Sequence, residues 1–580
     1  MLRLRPSSRR TLADLLERNA TRYPDRPCVL YGEHRLSFAE LNAAANRVAH
    51  WGQHAGFRRG DVVALLMANR PEYLVTWAGL AKLGVITALI NTNLTGRALQ
   101  HALGSSGAKR LILGAELCES FTSPGGGQPF EGPIFLSNEE GTAPLPLPPG
   151  AENLVAELSG FPTHNPDPDL RRELRCGDDL FYIYTSGTTG PPKAARFSHL
   201  RFLVSATLGG VAGYRPGHVV YCALPLYHTA GGAVAVGSAW THGAAVAIRG
   251  RFSASQFWDD VRRYDATAFQ YIGEFCRYLL NQPPSRRDRE HRVEIAVGNG
   301  LRPDIWEKFQ ERFGIRRILE FYGATEGNTG LVNFTGRPGS VGRIPRGFSR
   351  TRLIAYDLES EAHVRDARGF CIDCAPDQVG ELIGQIDQSG KTGLRFDGYT
   401  SAAETEKKIL RNVFREGDAW FRTGDLLRRD EKRFFYFVDR IGDTFRWKGE
   451  NVSTQEVAEH IAGFPGLELV NVYGVQVPEA DGRAGMAGLV LREPERFDGR
   501  ALYAWVDKGL PAYAAPVFVR LLQEADVTGT FKLRKVELQS EGFDPASVLD
   551  PLFVRDQAAR AYVRLSPERF AGIQLGRERL

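Results

Sequence analysis

The sequence predicts an α/β protein, with a large part built on mostly parallel sheets flanked by helices and a smaller α/β part after it. Three observations predict this. Amphipathic helical stretches alternate with short apolar runs in the N-terminal part, which is the pattern of βαβ units. Several apolar, strand-like runs end in glycine-rich turns. At 580 residues the chain also exceeds the size at which a single core stops growing, so two or more domains are expected.

The elements follow in order. Thr11 with Asp14, ahead of Leu12, Leu15 and Leu16, reads as a capped amphipathic helix, and Ser37 with Glu40 repeats the device ahead of Leu41, Ala44, Ala45 and Val48. Gly60-Asp61 turns the chain into a strand over 62–66. A helix over 73–82 and a strand over 85–90 complete the alternation. From about Ser120 to Pro149 the chain is rich in Gly, Pro and Ser, and an exposed loop is expected. The apolar stretches 74–91 and 219–240 are interrupted by Lys82, Pro225 and His228, and read as buried helix or strand rather than as membrane spans.

Composition narrows the function classes. With 73 basic and 68 acidic residues the net charge is +5, and no Lys/Arg block with interleaved aromatics appears, so nucleic-acid binding is set aside. Seven scattered cysteines, an odd number, argue against a disulfide framework and for a reducing compartment, the cytoplasm. Cys371 and Cys374 have metal-ligand spacing but lack a second Cys/His pair, so structural thiols are expected there. The start of the chain shows no apolar signal-peptide core.

The most informative stretch is Thr185-Ser186-Gly187-Thr188-Thr189-Gly190-Pro191-Pro192-Lys193, delivered by the apolar run Leu180–Tyr184. Glycines let backbone N–H groups approach an anion, the hydroxyls add donors, and Lys193 adds a cation, so it reads as a phosphate cradle. Its spacing does not fit a Walker P-loop; the bland reading is a surface turn. Four further stretches carry polar residues at turns. His228 lies in Leu226-Tyr227-His228-Thr229, where a lone histidine is commonly a satisfied core residue. Gly298-Asn299-Gly300 ends a strand. Tyr322-Gly323-Ala324-Thr325-Glu326 is an acidic glycine turn, and Glu326 is a candidate Mg²⁺ ligand, since that ion takes few protein ligands when it rides on phosphates. Asp425 follows Gly424, where a carboxylate could accept from both ribose hydroxyls, and the charged stretch 439–451 suits a domain boundary.

Together with Thr528-Gly-Thr-Phe-Lys532, these stretches resemble, in order and spacing, the adenylate-forming superfamily of acyl-CoA synthetases, luciferases and peptide-synthetase adenylation domains. Tyr271–Leu280, Phe321–Asn328, Phe445–Thr454 and even Cys371-Ile-Asp-Cys374 are similar to its fatty-acid transport protein / very-long-chain acyl-CoA synthetase branch. The resemblance implies a large domain over 1–439 that includes a small β-barrel-like part, a hinge over 440–443 and a small mobile domain over 444–580. It implies a two-step reaction: a fatty acid attacks the α-phosphorus of ATP to give acyl-AMP and pyrophosphate, and CoA then takes the acyl group. Thr185 to Gly190 and Lys193 would hold the pyrophosphate, and Glu326 the Mg²⁺. Thr325 would bond the α-phosphate, Tyr322 and Gly323 would lie at the adenine, Gly298, Asn299 and Gly300 at the nucleotide's edge, and Asp425 with Arg440 at the ribose. Lys532 would bridge the acyl carboxylate and α-phosphate in the first step only, and the His228 ring would gate the acyl site. Where the family usually has Asp or Lys at the hinge, this chain has Gly442.

Rival readings are an amino-acid-activating domain, which would need an Asp near His228 that the sequence lacks, and a luciferase-like oxygenase, against which the transport-protein-like motifs weigh. A third is a fatty-acid import or membrane-binding protein, or a ligase for another bulky acid such as a sterol side chain. Arg3, Arg5, Arg9 and Arg10 read first as a disordered basic tail and otherwise as a peripheral contact with the inner face of the cell membrane, and a homodimer is compatible with the sequence.

Overall fold

The structure, a computed structural model, describes all residues except 1–3, 123–129, 139–149, 186–191, 345–349, 391–394, 479, 481, 494–496, 524–534 and 579. Both capping boxes form: Thr11 and Asp14 start the helix Leu12–Arg22, and Ser37 and Glu40 the helix Phe38–His54. Their apolar faces, with the helix Pro71–Lys82, pack between two sheets. The crossing of the last two helices is close because Gly79 has no side chain; a Cβ there would lie 2.6 Å from the Ala45 carbonyl oxygen.

One sheet has seven strands in the order Ala151–Asn153, Ile134–Ser137, Arg110–Gly114, Val62–Leu66, Ile86–Leu89, Asp179–Thr185 and Lys193–Ser198, parallel but for the last. The other has eight strands, with Arg317–Gly323, Ile295–Asn299, Ala268–Ile272, Val219–Cys222 and Ala245–Ile248 running parallel in its interior. One apolar core joins both sheets; in it Trp77 stacks on Phe181 at 4.6 Å and meets Trp240 at 6.0 Å. The expectation of a loop throughout 120–149 is corrected at Ile134–Ser137, a buried strand paired with Arg110–Gly114. Proline and glycine on both sides of those three apolar residues and a serine hid them.

A third, antiparallel sheet runs Ser340–Arg343, Phe434–Arg440, Ala419–Arg429, Val379–Gln385, Thr351–Asp357, Ala362–His363. Among the described residues its first and last strands do not pair, so the expected barrel-like part is an open sheet. Cys371 and Cys374 sit in two different apolar clusters beside it, as structural thiols do. A separate core from Phe445 to Ile573 covers a five-stranded sheet and its helices. The two parts are tied where they meet. Buried Asp439 accepts from the Thr454 backbone N–H at 2.7 Å and from its hydroxyl, Ser453 Oγ donates to the Val438 carbonyl, and Lys535 Nζ donates to Thr454 Oγ1 at 2.7 Å and Asp443 Oδ2 at 3.2 Å. Gly442 is exposed at the turn between them.

Among the described residues no helix is long and apolar enough to cross a membrane, and no disulfide forms.

Candidate active site

Parallel strands deliver their C-terminal ends to one edge of a sheet, and there the candidate residues gather. Tyr322 closes the strand Arg317–Gly323, and its hydroxyl donates to Asp425 Oδ2 at 2.6 Å. Asp425 lies on the third sheet, directly opposite Arg440 in the register of the neighbouring strand, and the two side chains are 3.6 Å apart. Burial and the Asp425 carboxylate push the Tyr322 phenol well above the usual range, so it stays a donor. This pair joins two sheets at one point.

The turn after Tyr322 is the second group. Thr325 Oγ1 lies 2.8 Å from Thr229 Oγ1, beside His228. The carboxylate of Glu326 is buried rather than solvent-facing, and its Oε1 accepts from the Tyr399 hydroxyl at 2.8 Å. His228 precedes a buried π-helical stretch, Thr229–Val236, and its Nδ1 accepts from the Ala230 N–H at 3.4 Å. The histidine thus caps the start of that stretch, next in the chain to the Thr229 that meets Thr325.

The third group is the end of the strand that enters the cradle. Thr185 pairs with Lys193 across the two strands, and Lys193 Nζ forms an ion pair with Glu404, which holds that carboxyl down to about 2. Ser186, Gly187, Thr188, Thr189 and Gly190 lie outside the described residues, as does Lys532. The segment that brings Tyr399 and Glu404 to these groups was not legible in the sequence. It runs beside the strand Lys193–Ser198, through a bridge between Ala195 and Tyr399 and an N–H bond from Thr400 to Ala194. The sequence signals for it are the glycine turn at Gly398 and the helix start at Ser401 with Glu404, neither of which points to Lys193 or Glu326.

Gly298, Asn299 and Gly300 end the strand next to Arg317–Gly323, and Gly300 takes a φ of +81°. A Cβ on Gly298 would lie 2.3 Å from the Tyr271 carbonyl oxygen, so only glycine fits. Behind this turn is a residue the sequence did not single out. Buried Glu320 accepts from the Gly300 and Leu301 N–H groups, the latter at 3.3 Å, and from the Tyr271 hydroxyl. Burial raises its pKa to about 8, against the opposing hydrogen bonds, so at neutral pH it keeps a proton. A carboxyl whose folded pKa exceeds its unfolded value stabilises fully below the unfolded value, and that contribution is lost as pH rises through about 8. Glu320→Gln keeps an acceptor for both N–H groups and removes the titration. Urea midpoints of wild type are therefore expected to fall relative to the variant between about pH 5 and about pH 9; parallel curves would show an ordinary carboxylate.

No group of three or more Cys, His, Asp or Glu side chains gathers as a metal centre among the described residues. A single buried carboxylate such as Glu326 fits an ion that binds chiefly through substrate phosphates.

The fold is that of adenylate-forming CoA ligases. An anthranilate CoA ligase crystallised with anthranoyl-AMP shares it with a TM-score of 0.77 over 93% of this chain and 98% of that one, at 22% identity. A Mycobacterium tuberculosis fatty acyl CoA synthetase does so with a TM-score of 0.62 over 91% and 98%, also at 22% identity. A model of the AMP-binding enzyme family matches residues 16–383. Long-chain fatty acid transport protein 2 of Rattus norvegicus is 40% identical over 97% of this chain and 90% of its own length, and Long-chain fatty acid transport protein 1 of Homo sapiens is 46% identical over 91% and 82%. The chain belongs to the AMP-binding enzyme family, in its group of long-chain fatty acid transport proteins.

Proposed function

We propose that the chain is an AMP-forming fatty-acid–CoA ligase for long- or very-long-chain acids, which converts fatty acid, ATP and CoA to acyl-CoA, AMP and pyrophosphate through an acyl-adenylate. The observation that carries this reading is the convergence of Tyr322, Thr325, Glu326, Asp425 and Arg440 where the turn after the strand Arg317–Gly323 meets the third sheet, in a chain related over almost its whole length to fatty acid transport proteins.

Each residue then has a task. Asp425, oriented by Tyr322 and Arg440, accepts from the ribose hydroxyls. The Tyr322 ring and the Gly298–Gly300 turn flank the base. Thr325 donates to the α-phosphate, with Thr229 fixing its rotamer from the side where His228 borders the acyl group. Lys193 and the cradle hold the leaving pyrophosphate, so charge leaving the α-phosphorus meets cations and donors already in place. Glu326 would hold Mg²⁺, which neutralises phosphate charge when bound. Residues 1–439 and 444–580 act as two domains about a hinge at 440–443, with Gly442 supplying backbone freedom and Lys532 arriving on the small domain for the first step. CoA enters for the second. The surroundings are cytoplasmic, as the odd and scattered set of cysteines suggests, with peripheral contact at the membrane's inner face.

Product analysis tests the reading: incubation with ATP, CoA and a panel of acids of increasing length is expected to yield AMP and pyrophosphate. ADP and phosphate would overturn it. The relatives' names also favour a role in uptake, which follows from the same chemistry, because an acid trapped as a CoA ester cannot leave.

A further inference from the structure

Arg201 has no part in the reading above, yet it is aimed at the centre of the site. It lies on the short helix His199–Ser205, which follows the cradle strand, and its guanidinium reaches under the turn after Tyr322. Nη2 donates to the carbonyls of Thr325 and Ala324, the latter at 3.3 Å, and Nη1 donates to the Glu326 carbonyl at 3.1 Å. Three successive peptide carbonyls therefore converge on one cation. The guanidinium also stands over the Phe197 ring at 5.3 Å, so its plane is held from the other side.

This arrangement matters because of what the same three residues carry. A carbonyl fixed by a donor fixes the one peptide plane it lies in, so three successive carbonyls fix the planes that flank the Cα atoms of Thr325 and Glu326. Those planes set the direction of the Thr325 hydroxyl and of the Glu326 carboxylate, the two groups of this turn that meet Thr229 and Tyr399. Only a planar fork can serve adjacent carbonyls in this way; a lysine ammonium is a point donor and would satisfy one or two of them. Burial pulls the guanidinium below the usual arginine range, opposed by the Asp397 and Glu326 carboxylates, so its charge is little screened.

We propose that Arg201 is a positioning residue of the adenylation site, which holds the Ala324–Glu326 turn through its three carbonyls so that Thr325 and Glu326 meet the α-phosphate and its metal ion. The proposal rests on the adenylation reading. It assigns to Arg201 an effect on the first half-reaction that is larger than its effect on folding or on the second.

The full-length chain, with Arg201→Met and Arg201→Lys, provides the test. Single-turnover pyrophosphate release with ATP and a fatty acid measures the first step, with Mg²⁺ titrated. Thioester formation from preformed acyl-adenylate and CoA measures the second, and thermal melting reports the fold. Arg201→Met is expected to slow the first step about a hundredfold, as misplacement of reacting groups by about 1 Å does, and to raise the Mg²⁺ concentration at half-maximal rate. The second step, in which no pyrophosphate leaves, should fall far less. Arg201→Lys should recover part of the first-step loss, and it decides the matter if the methionine variant does not fold. A first step unchanged in both variants, or both steps falling in proportion to a lower melting temperature, overturns the proposal. A wild type that forms ADP instead of AMP removes the adenylation reading itself, and is told apart because it needs no variant.

Discussion

Lys532→Ala is expected to slow acyl-adenylate formation about a hundredfold while leaving thioester formation from preformed acyl-adenylate near the wild-type rate. In the proposed reaction its ammonium meets two anions, the acyl carboxylate and the α-phosphate, that repel as they approach. A cation between them acts only while that approach takes place. Lys535, three residues further on, cannot simply take over, since its Nζ is engaged by Thr454 and Asp443. Single-turnover kinetics of the two steps is the measurement. Equal loss in both would show that Lys532 is not specific to adenylation, and the alternation of domains would lose its main support.

Glu17→Ala is expected to cost about 3 kcal/mol of stability without touching the site. Lys82 is fully buried; its Nζ donates to Glu17 Oε1 at 2.8 Å and to Asn42 Oδ1 at 2.9 Å, while Arg171 holds the other Glu17 oxygen. Without the carboxylate an ammonium remains in the core with only amide oxygens to answer it. Adding Lys82→Met should recover most of the loss, because an apolar side chain needs no partner. Burial raises the pKa of Glu17, but Arg171 and Lys82 outweigh it and leave the carboxyl below the usual range. Its contribution is therefore full above that range and is lost as pH falls through the folded value. Urea unfolding of the single and double variants checks this, and additive losses would show that the pair is not coupled.

What could be read from the sequence was what depends on neighbours along the chain. The capping boxes at Thr11 and Ser37 involve residues three apart, and the strands at 62–66 and 180–184 announce themselves as apolar runs between turns, so all four were legible. Ile134–Ser137 was not, because three apolar residues and a serine among prolines and glycines carry no period. The same division holds at the site. Tyr322, Thr325, Glu326 and Asp425 stand in glycine turns that mark them. Tyr399, Glu404, Glu320 and Arg201 do not, because their importance comes from partners 73, 20 or 124 residues away, which no local pattern encodes. Glu404 is one of two acids on a short helix, and nothing sets it apart from Glu406 until the strand that carries Lys193 is laid beside it.

The bonds between Asp439 and Thr454 bear on the timing of any swing of the small part. The two residues are only fifteen positions apart, so the contact works as a clasp on a short tether. A clasp of this span recloses on the order of 100 ns once its halves are near each other, whereas rearrangements of whole domains take microseconds to milliseconds. Remaking it is therefore not the slow event in such a swing, whereas the rate of breaking it falls with the strength of its bonds. In the proposed alternation of domains its strength would set the fraction of time the two parts spend apart, so weakening it would raise how often they separate without slowing their return.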